Sequence, residues 1–396
     1  MHTLIKNTSF QTLLVVLLAL MFGSTMPLPF AKAMYTTSLF LKDILMLFLP
    51  FAVFIFISTT LLHFEKKGWL LVCVLVLFEM ISNTFASIAA YGLSFLGSDF
   101  YNASALSPLE TTLTPFFTII DIKPSFWRVE YGTFLGVVVG LFIPYVHVPK
   151  IEKTLKSMKI FVTLIFSKGF ARVIPLFVFG FFLNLMKTSD FFPLLLQGGR
   201  AIMIMLIGLI AYLFLLYFLA AGLSLSRTLL FIKNALPAGL TGFSSMSSAA
   251  TMPVTIEMTE KNLNNPNFAP MIIPATTNIQ QVGDCFIQVF LCCVILYFFG
   301  VGIPDFGTFL VFLSVFVLAR FTTAAVVGGA IFIMLPIYQT YLGFNAEMTA
   351  LILAFNMLLD PIVTSSNVMG NSALCVLFER VWNSIVGRST ALKKAA

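Results

Sequence analysis

The sequence predicts an all-helical, polytopic integral membrane fold whose C-terminal half is an inverted repeat of broken helices. Three observations carry this. Hydrophobic residues make up 59% of the 396 positions and charged residues 10%, with a mean hydropathy of +1.00. That leaves too little charge to coat a soluble protein of this size. Six apolar runs have the length of a membrane span, roughly 20 residues. Beyond residue 226 the runs shorten and are interrupted, twice in the same pattern, by polar, small and proline residues.

The ordinary spans fall at 10–31, 36–62, 69–97, 131–148, 158–186 and 200–225. The first follows Lys6 and ends Pro29-Phe30-Ala31-Lys32-Ala33, which resembles the end of a signal peptide. The run is long for a signal peptide's apolar region, so an uncleaved first span is the preferred reading. With the N-terminus in the cytoplasm, alternation places Lys6, Lys66, Lys67, Lys150, Lys153, Lys156, Lys159, Arg227 and Lys233 on the cytoplasmic side. The 98–130 loop faces outside with only Lys123 and Arg128. This is the bias of the positive-inside rule. The net charge of +7 therefore reads as topology and not as a nucleic-acid surface. The five cysteines lie inside apolar runs and have no disulfide or zinc spacing.

The second half carries the chemistry. TGFSSMSSAATMPVT at 241–255 and RFTTAAVVGGA at 320–330 are too polar and too small to face lipid. Irregular backbone survives in a bilayer only when buried in protein or lining a watery cavity. Each stretch is flanked by half-length apolar segments, which suggests two re-entrant hairpins. Each hairpin precedes a span with a polar middle: 268–303 with TTNIQQVGD, and 345–380 with DPIVTSSNVMGNS. A hairpin plus a broken span, twice and in opposite orientation, is the arrangement in which transporters place a midplane binding site. A hairpin tip offers free N–H groups to a carboxylate, and the Ser247 and Ser248 hydroxyls add donors. The alternative is that the small residues merely allow tight helix packing.

Asp360 is the sharpest single residue. A carboxylate in an otherwise apolar helix is expensive and usually functional. Thr364, Asn367 and Asn371 follow at helical spacing and share its face. An ammonium group would pair with Asp360 while Thr364 and Asn367 hold the rest of a small polar ligand. A structural ion pair is the alternative.

At these residues the chain resembles the dicarboxylate/amino acid:cation symporters, the glutamate-transporter-like family. The resemblance covers most of the chain and is strongest from 237 to 380; FLKDILMLFLPFAVF at 40–54 is similar to the family's second span. It implies eight transmembrane helices plus two re-entrant hairpins, a homotrimer, and an elevator movement of a transport domain against a scaffold. On that pattern the scaffold holds 1–68 (spans 1 and 2) and 131–190 (spans 4 and 5). The transport domain holds 69–98 (span 3) and 199–396, with hairpin 1 at about 226–262, span 7 at 266–303, hairpin 2 at 306–342 and span 8 at 345–380. SSMSSAATMP matches the serine-rich first tip, with Ser247 and Ser248 on its substrate-contacting serines. Asp360 matches the aspartate that takes the substrate amino group, and Thr364 and Asn367 match its neighbours. Thr276, Asn278, Gln280, Asn371, Ser82 and Asn83 fall on the cation-binding positions.

The departures share a direction. Where the family has two sodium-binding aspartates this chain has Gln280 and Asn371. The arginine that grips acidic substrates is Val363, and the first hairpin's arginine position is Met246. Arg320 falls where a small polar residue normally stands near a sodium site. Sodium prefers oxygen ligands with negative charge, so these sites should be weakened. Arg320 reads as a substrate contact, as a fixed charge replacing a sodium ion, or as a cap on a half-helix's carbonyl end. Asp284 and the buried acid Glu79 could restore lost charge or carry a proton, or Glu79 could be a polar contact between helices.

The expected function is secondary transport of a small neutral amino acid, with weakened or absent sodium coupling. The alternatives are a sodium- or proton-coupled glutamate, aspartate or C4-dicarboxylate symporter and, from another class, a transporter-like sensor or a channel. An enzyme is not expected, because serine chemistry lacks a placed base and no metal-ligand cluster appears. No cofactor is expected, and the coupling ion, sodium or proton, stays open. The expected partners are an amino acid or dicarboxylate, the lipid bilayer and two further copies of the chain, with no nucleic acid. The short loops suit a bacterial cytoplasmic membrane, with both termini inside.

Overall fold

A computed structural model of the protein describes residues 8–61, 69–96, 98, 113–117, 129–146, 149–165, 169, 171–188, 191–277, 279–323 and 330–395. Among the described residues every regular element is helical. In chain order these are α1 (Thr8–Phe22), α2 (Leu28–Leu61), α3 (Trp69–Leu96), α4 (Val129–Val146), α5 (Pro149–Leu164), α6 (Ala171–Thr188) and α7 (Phe191–Ala220). Then follow α8 (Leu225–Ser245), α9 (Ser248–Glu260), α10 (Phe268–Thr276), α11 (Val282–Phe298), α12 (Phe306–Thr323), α13 (Ala330–Leu342) and α14 (Ala346–Ala395). Windows Cys73–Leu96, Gly198–Ala220 and Leu358–Ile385 are long and apolar enough to cross a membrane.

Two expected runs are divided. The run at 10–31 ends as α1 at Phe22, and residues 23–27 turn the chain into α2. The run at 158–186 is shared between the end of α5 and α6. The chain packs as two compact units: Met1–Glu65 with Ser94–Ile202 and Phe290–Leu358, and Lys66–Leu93 with Met203–Val289 and Leu359–Ala396.

In the first unit α2 is the centre: α4, α5, α6, α12 and α13 all pack on it, and α1 packs on α6. The α2 and α6 backbones approach closely at Gly180, where a Cβ would collide with the Met34 carbonyl and the Ser38 hydroxyl. Beside that contact Tyr35 and Phe181 meet edge to face at 5.6 Å. The buried Asn184 accepts from Leu113 N and donates to Oε1 of Glu347, each at 2.8 Å, so its amide is satisfied inside the apolar interior. α12 and α13 pair with each other, and Tyr338 lies among Phe312, Phe316 and Phe344. The polar stretch 324–329 expected at the tip of this pair lies outside the described residues.

In the second unit α8 and α9 form the first helical hairpin, packed on each other. Met246 makes the turn with φ 50°, the left-handed conformation. The hairpin docks on α14 through an apolar cluster of Ala238, Met258 and Val368. A second cluster joins α3, α10 and α14 through Leu75, Phe268, Ala269, Ile272, Ile273, Cys375 and Phe378. The break expected in TTNIQQVGD is present: α10 stops at Thr276 and α11 starts at Val282. The break expected in the second polar span is absent. α14 runs unbroken through Asp360-Pro361 and continues past 380 to Ala395. Its polar residues serve bonds between helices and leave its own backbone intact: Ser372 Oγ accepts from Thr259 Oγ1 at 2.9 Å, and Asn371 Oδ1 from Thr276 Oγ1 at 2.7 Å.

Candidate functional site

The interruption between α10 and α11 in the second unit is the first component of the site. Breaking a helix frees N–H and C=O groups that a bilayer interior cannot solvate. Asn83, on α3, takes up one of each: its Nδ2 donates to the Ile279 carbonyl at 3.0 Å, and its Oδ1 accepts from Gln281 N at 3.1 Å. With its amide oriented to suit its surroundings, Gln280 donates to the Asn367 carbonyl at 2.8 Å and accepts from Val282 N at 3.3 Å. The break is thus held open by two amide side chains. We expect Asn83→Ala to lower stability by about 2–6 kcal/mol, since two buried backbone groups lose partners at about 1–3 kcal/mol each. The measurement is thermal unfolding in detergent, and a melting temperature equal to wild type would reject that role.

The second component is α14 against the start of α11. Asn367 Oδ1 accepts from Gly283 N at 2.8 Å and from Asp284 N at 3.4 Å, and its Nδ2 donates to Oδ2 of Asp284 at 2.7 Å. Gln288 Nε2 reaches Oδ1 of Asp284 at 3.2 Å. Only glycine fits at 283, because a Cβ would lie 2.7 Å from the Val363 carbonyl and 3.0 Å from Asn367 Oδ1. Thr364 is buried one turn before Asn367, and Asp360 lies one turn before Thr364, half-buried. Asp360 and Asp284 are close enough for their charges to interact.

Two acids on α14 differ in how they are satisfied. Glu379 is buried and accepts from Asn264 N at 3.1 Å, Asn265 N at 2.7 Å and Asn264 Nδ2 at 3.2 Å, which anchors the turn before α10. Asp360 has no hydrogen-bond partner among the described residues. A carboxylate kept in such surroundings without a partner is where a cationic ligand group gains most.

The hairpin tip is the third component. Ser247 is the N-cap of α9, its Oγ accepting from Ala250 N at 3.3 Å, and Ser248 is the first helical residue. Gly242, one turn back on α8, would bring a Cβ within 3.4 Å of the Thr364 carbonyl, so the tip end of the hairpin adjoins the Thr364 turn. Ser247, Ser248, Thr364, Asn367 and Asp360 therefore belong to one unit, together with Thr276, Gln280, Asn371, Ser82 and Asn83. The Ser82 hydroxyl and Oε2 of Glu79 are both buried with no hydrogen-bond partner among the described residues. Asn278 lies outside the described residues. Arg320 lies in the first unit, fully buried in the last turn of α12, with its guanidinium 5.0 Å from the Phe316 ring centroid. The fixed Asp284–Asn367 bond is the feature that sequence spacing did not disclose, although Asp284 was visible as an acid in an apolar run.

Three apolar helices long enough to cross a membrane, together with the interrupted α10–α11 pair and its buried amides, are the marks of a multi-pass membrane protein of the carrier type. The chain belongs to the Sodium:dicarboxylate symporter family, whose profile matches residues 9–381. That is a family of transporters and not of enzymes, and the resemblance seen from 237 to 380 is borne out. Among curated relatives, the chain is 25% identical over 140 residues to the Serine/threonine transporter SstT of Acinetobacter baumannii, covering 35% of this chain and 34% of the relative. It is 29% identical over 157 residues to an Uncharacterized symporter of Haemophilus influenzae, covering 39% and 35%. It is 28% identical over 143 residues to an Excitatory amino acid transporter of Caenorhabditis elegans, covering 36% and 28%. The chain thus spans about a third of the length of the curated relatives it matches.

Proposed function

We propose that the protein is a secondary carrier of a small neutral amino acid, with weakened or absent sodium coupling. The observation that carries this is the α14 face: Asp360, without a hydrogen-bond partner among the described residues, followed by Thr364 and the fixed amide of Asn367, with Val363 between them. Asp360 takes the substrate ammonium. Thr364, Asn367 and the Ser247–Ser248 tip take its carboxylate and any hydroxyl. With Val363 in place of an arginine, nothing at that position grips a second carboxylate. The serine/threonine transporter among the relatives supports the same class of substrate.

Two internal bonds support the coupling half of the proposal. Gln280 and Asn371 occupy positions where the family carries aspartates, and both amides are already engaged, on the Asn367 carbonyl and on Thr276 Oγ1. Neutral ligands with oxygens spent on protein donors make a poor sodium site. We assign the elevator movement, the homotrimeric assembly, the domain boundaries at 1–68, 69–98, 131–190 and 199–396, and the cytoplasmic placement of both termini on the same family pattern.

Initial uptake of labelled serine into proteoliposomes should fall by less than about twofold when sodium is replaced by choline, because removing an ion from a site that does not hold it changes no binding equilibrium. Strict sodium dependence rejects the coupling reading. A second reading, symport of an acidic amino acid or dicarboxylate, is favoured by the family description and by the excitatory amino acid transporter among the relatives. It requires labelled aspartate or succinate to be taken up in preference to serine.

A further inference from the structure

We propose that α5 is a binding surface for anionic phospholipid headgroups, held by Lys150, Lys153 and Lys156. The inference is independent of the substrate reading above, because α5 belongs to the other compact unit. α5 packs on α2, and its buried side chains, Leu155 and Val162, lie two turns apart on one face. Ile151, one turn before Leu155, flanks that face. On the opposite face Lys153, Ser157, Ile160 and Leu164 follow one another at helical spacing, and all four are exposed. Lys150, Lys156 and Phe161 flank this row and are exposed as well. The outward row changes character along its length. Lysines and hydroxyls fill its first two turns, whereas Ile160, Phe161 and Leu164 at its end are 65%, 59% and 42% exposed. The change from Lys156 to Ile160 takes about 6 Å of helix. A solvated face would stay polar to its end, and a face buried in lipid would hold no lysine. A step from ammonium to apolar over that distance matches the step from headgroup to hydrocarbon at the edge of a leaflet.

The chain path puts α5 at that depth. The apolar α4 ends at Val146, and α5 begins at Pro149. Over its length α5 carries four lysines against the single acid Glu152, and among the described residues none of these lysines has an ion-pair partner. Each free ammonium keeps three donors for phosphate oxygens. A zwitterionic headgroup supplies its own cation to its phosphate, whereas an anionic headgroup leaves that charge to the protein. The exposed Ile160, Phe161 and Leu164 enter the hydrocarbon and hold the lysines at headgroup level. Orientation in the membrane by itself asks for positive charge near the end of a span. It does not ask for exposed apolar side chains continuing the same helical face.

The test measures binding of phosphatidylglycerol with a fluorescent acyl chain to the purified full-length protein in detergent. Unlabelled phosphatidylglycerol, phosphatidylcholine and inorganic phosphate serve as competitors. A lysine near an anionic surface changes affinity about fivefold. Phosphatidylglycerol should therefore compete at least about tenfold better than phosphatidylcholine, and inorganic phosphate at the same concentration should not compete. The triple variant Lys150→Gln/Lys153→Gln/Lys156→Gln should bring the two phospholipids to within about twofold of each other. The double variant Lys233→Gln/Lys261→Gln removes exposed charge from the first hairpin and should keep the wild-type preference. If the triple variant does not fold, Lys153→Gln alone should lower the preference about fivefold. Four results overturn the proposal: equal competition by both phospholipids in the wild type, a preference that survives the α5 substitutions, an equal loss in the hairpin variant, or displacement by phosphate as effective as by phosphatidylglycerol. A surface made for an acidic protein or for another copy of this chain gives the first of these, and a site for soluble anions gives the last.

Discussion

Asp360→Asn should reduce amino acid uptake by one to two orders of magnitude while leaving the melting temperature of the ligand-free protein unchanged or raised. The two halves follow from one observation. Asp360 has no hydrogen-bond partner among the described residues, so neutralising it removes no protein contact. It does remove the charge proposed to meet the substrate ammonium. Hydrogen bonds to charged groups contribute about 1.5–3 kcal/mol, which corresponds to roughly a ten- to hundredfold change in affinity. Relieving an unpaired, half-buried carboxylate of its desolvation stabilises the fold, as is common at functional residues. Counterflow in proteoliposomes and thermal unfolding in detergent read the two quantities separately. Uptake that persists at the wild-type rate would falsify the role of Asp360, and a sharp fall in melting temperature would recast the residue as structural, like Glu379 on the same helix.

Restoring a carboxylate where the family has one should make stability depend on sodium. In Gln280→Asp, the amide that donates to the Asn367 carbonyl and accepts from Val282 N is replaced by a shorter, charged acceptor. The Asn367 carbonyl then faces a like partial charge. The buried carboxylate has lost the donor-matched surroundings that suited an amide. Breaking such an arrangement costs about 2–4 kcal/mol, by the scale for buried groups left unpaired. A cation that binds only the folded state recovers stability by mass action. The variant should therefore unfold at a lower temperature than wild type in choline chloride and regain part of the loss in sodium chloride. The wild type should unfold at the same temperature in both salts. Equal melting temperatures for Gln280→Asp in the two salts, or a wild type stabilised by sodium to the same extent, would reject the idea that the amide has taken the ion's place.

The Asn83 prediction concerns how neutral amides organise this region. Asn83, Gln280, Asn367 and Asn371 each bridge two elements in the second unit, and each uses a donor or acceptor to satisfy a neighbour. Amides suit this because each offers both donors and acceptors and carries no desolvated charge. The same property makes them poor substitutes for carboxylates as cation ligands. Stability of the break and the proposed loss of sodium affinity thus share one physical basis.

What the sequence determined by itself is the membrane class, the order of the helical segments, the first hairpin with its serine tip, the break in TTNIQQVGD, and the family. These are legible because a bilayer imposes length on apolar runs and penalises any polar residue inside them, so Asp360 or Gln280 stands out against its neighbours without reference to a partner. The tertiary structure decided how those residues are spent. Polar spacing on 345–380 looked like a second break, yet α14 is continuous because Asn371 and Ser372 bond across to α10 and α9. Nothing in the local pattern distinguishes Glu379 from Asp360. The first is saturated by a turn more than a hundred residues away in sequence, at Asn264 and Asn265, while the second keeps its charge available. A hydrogen bond depends on where both of its partners lie, and only folding brings residues such as 284 and 367 to within 2.7 Å.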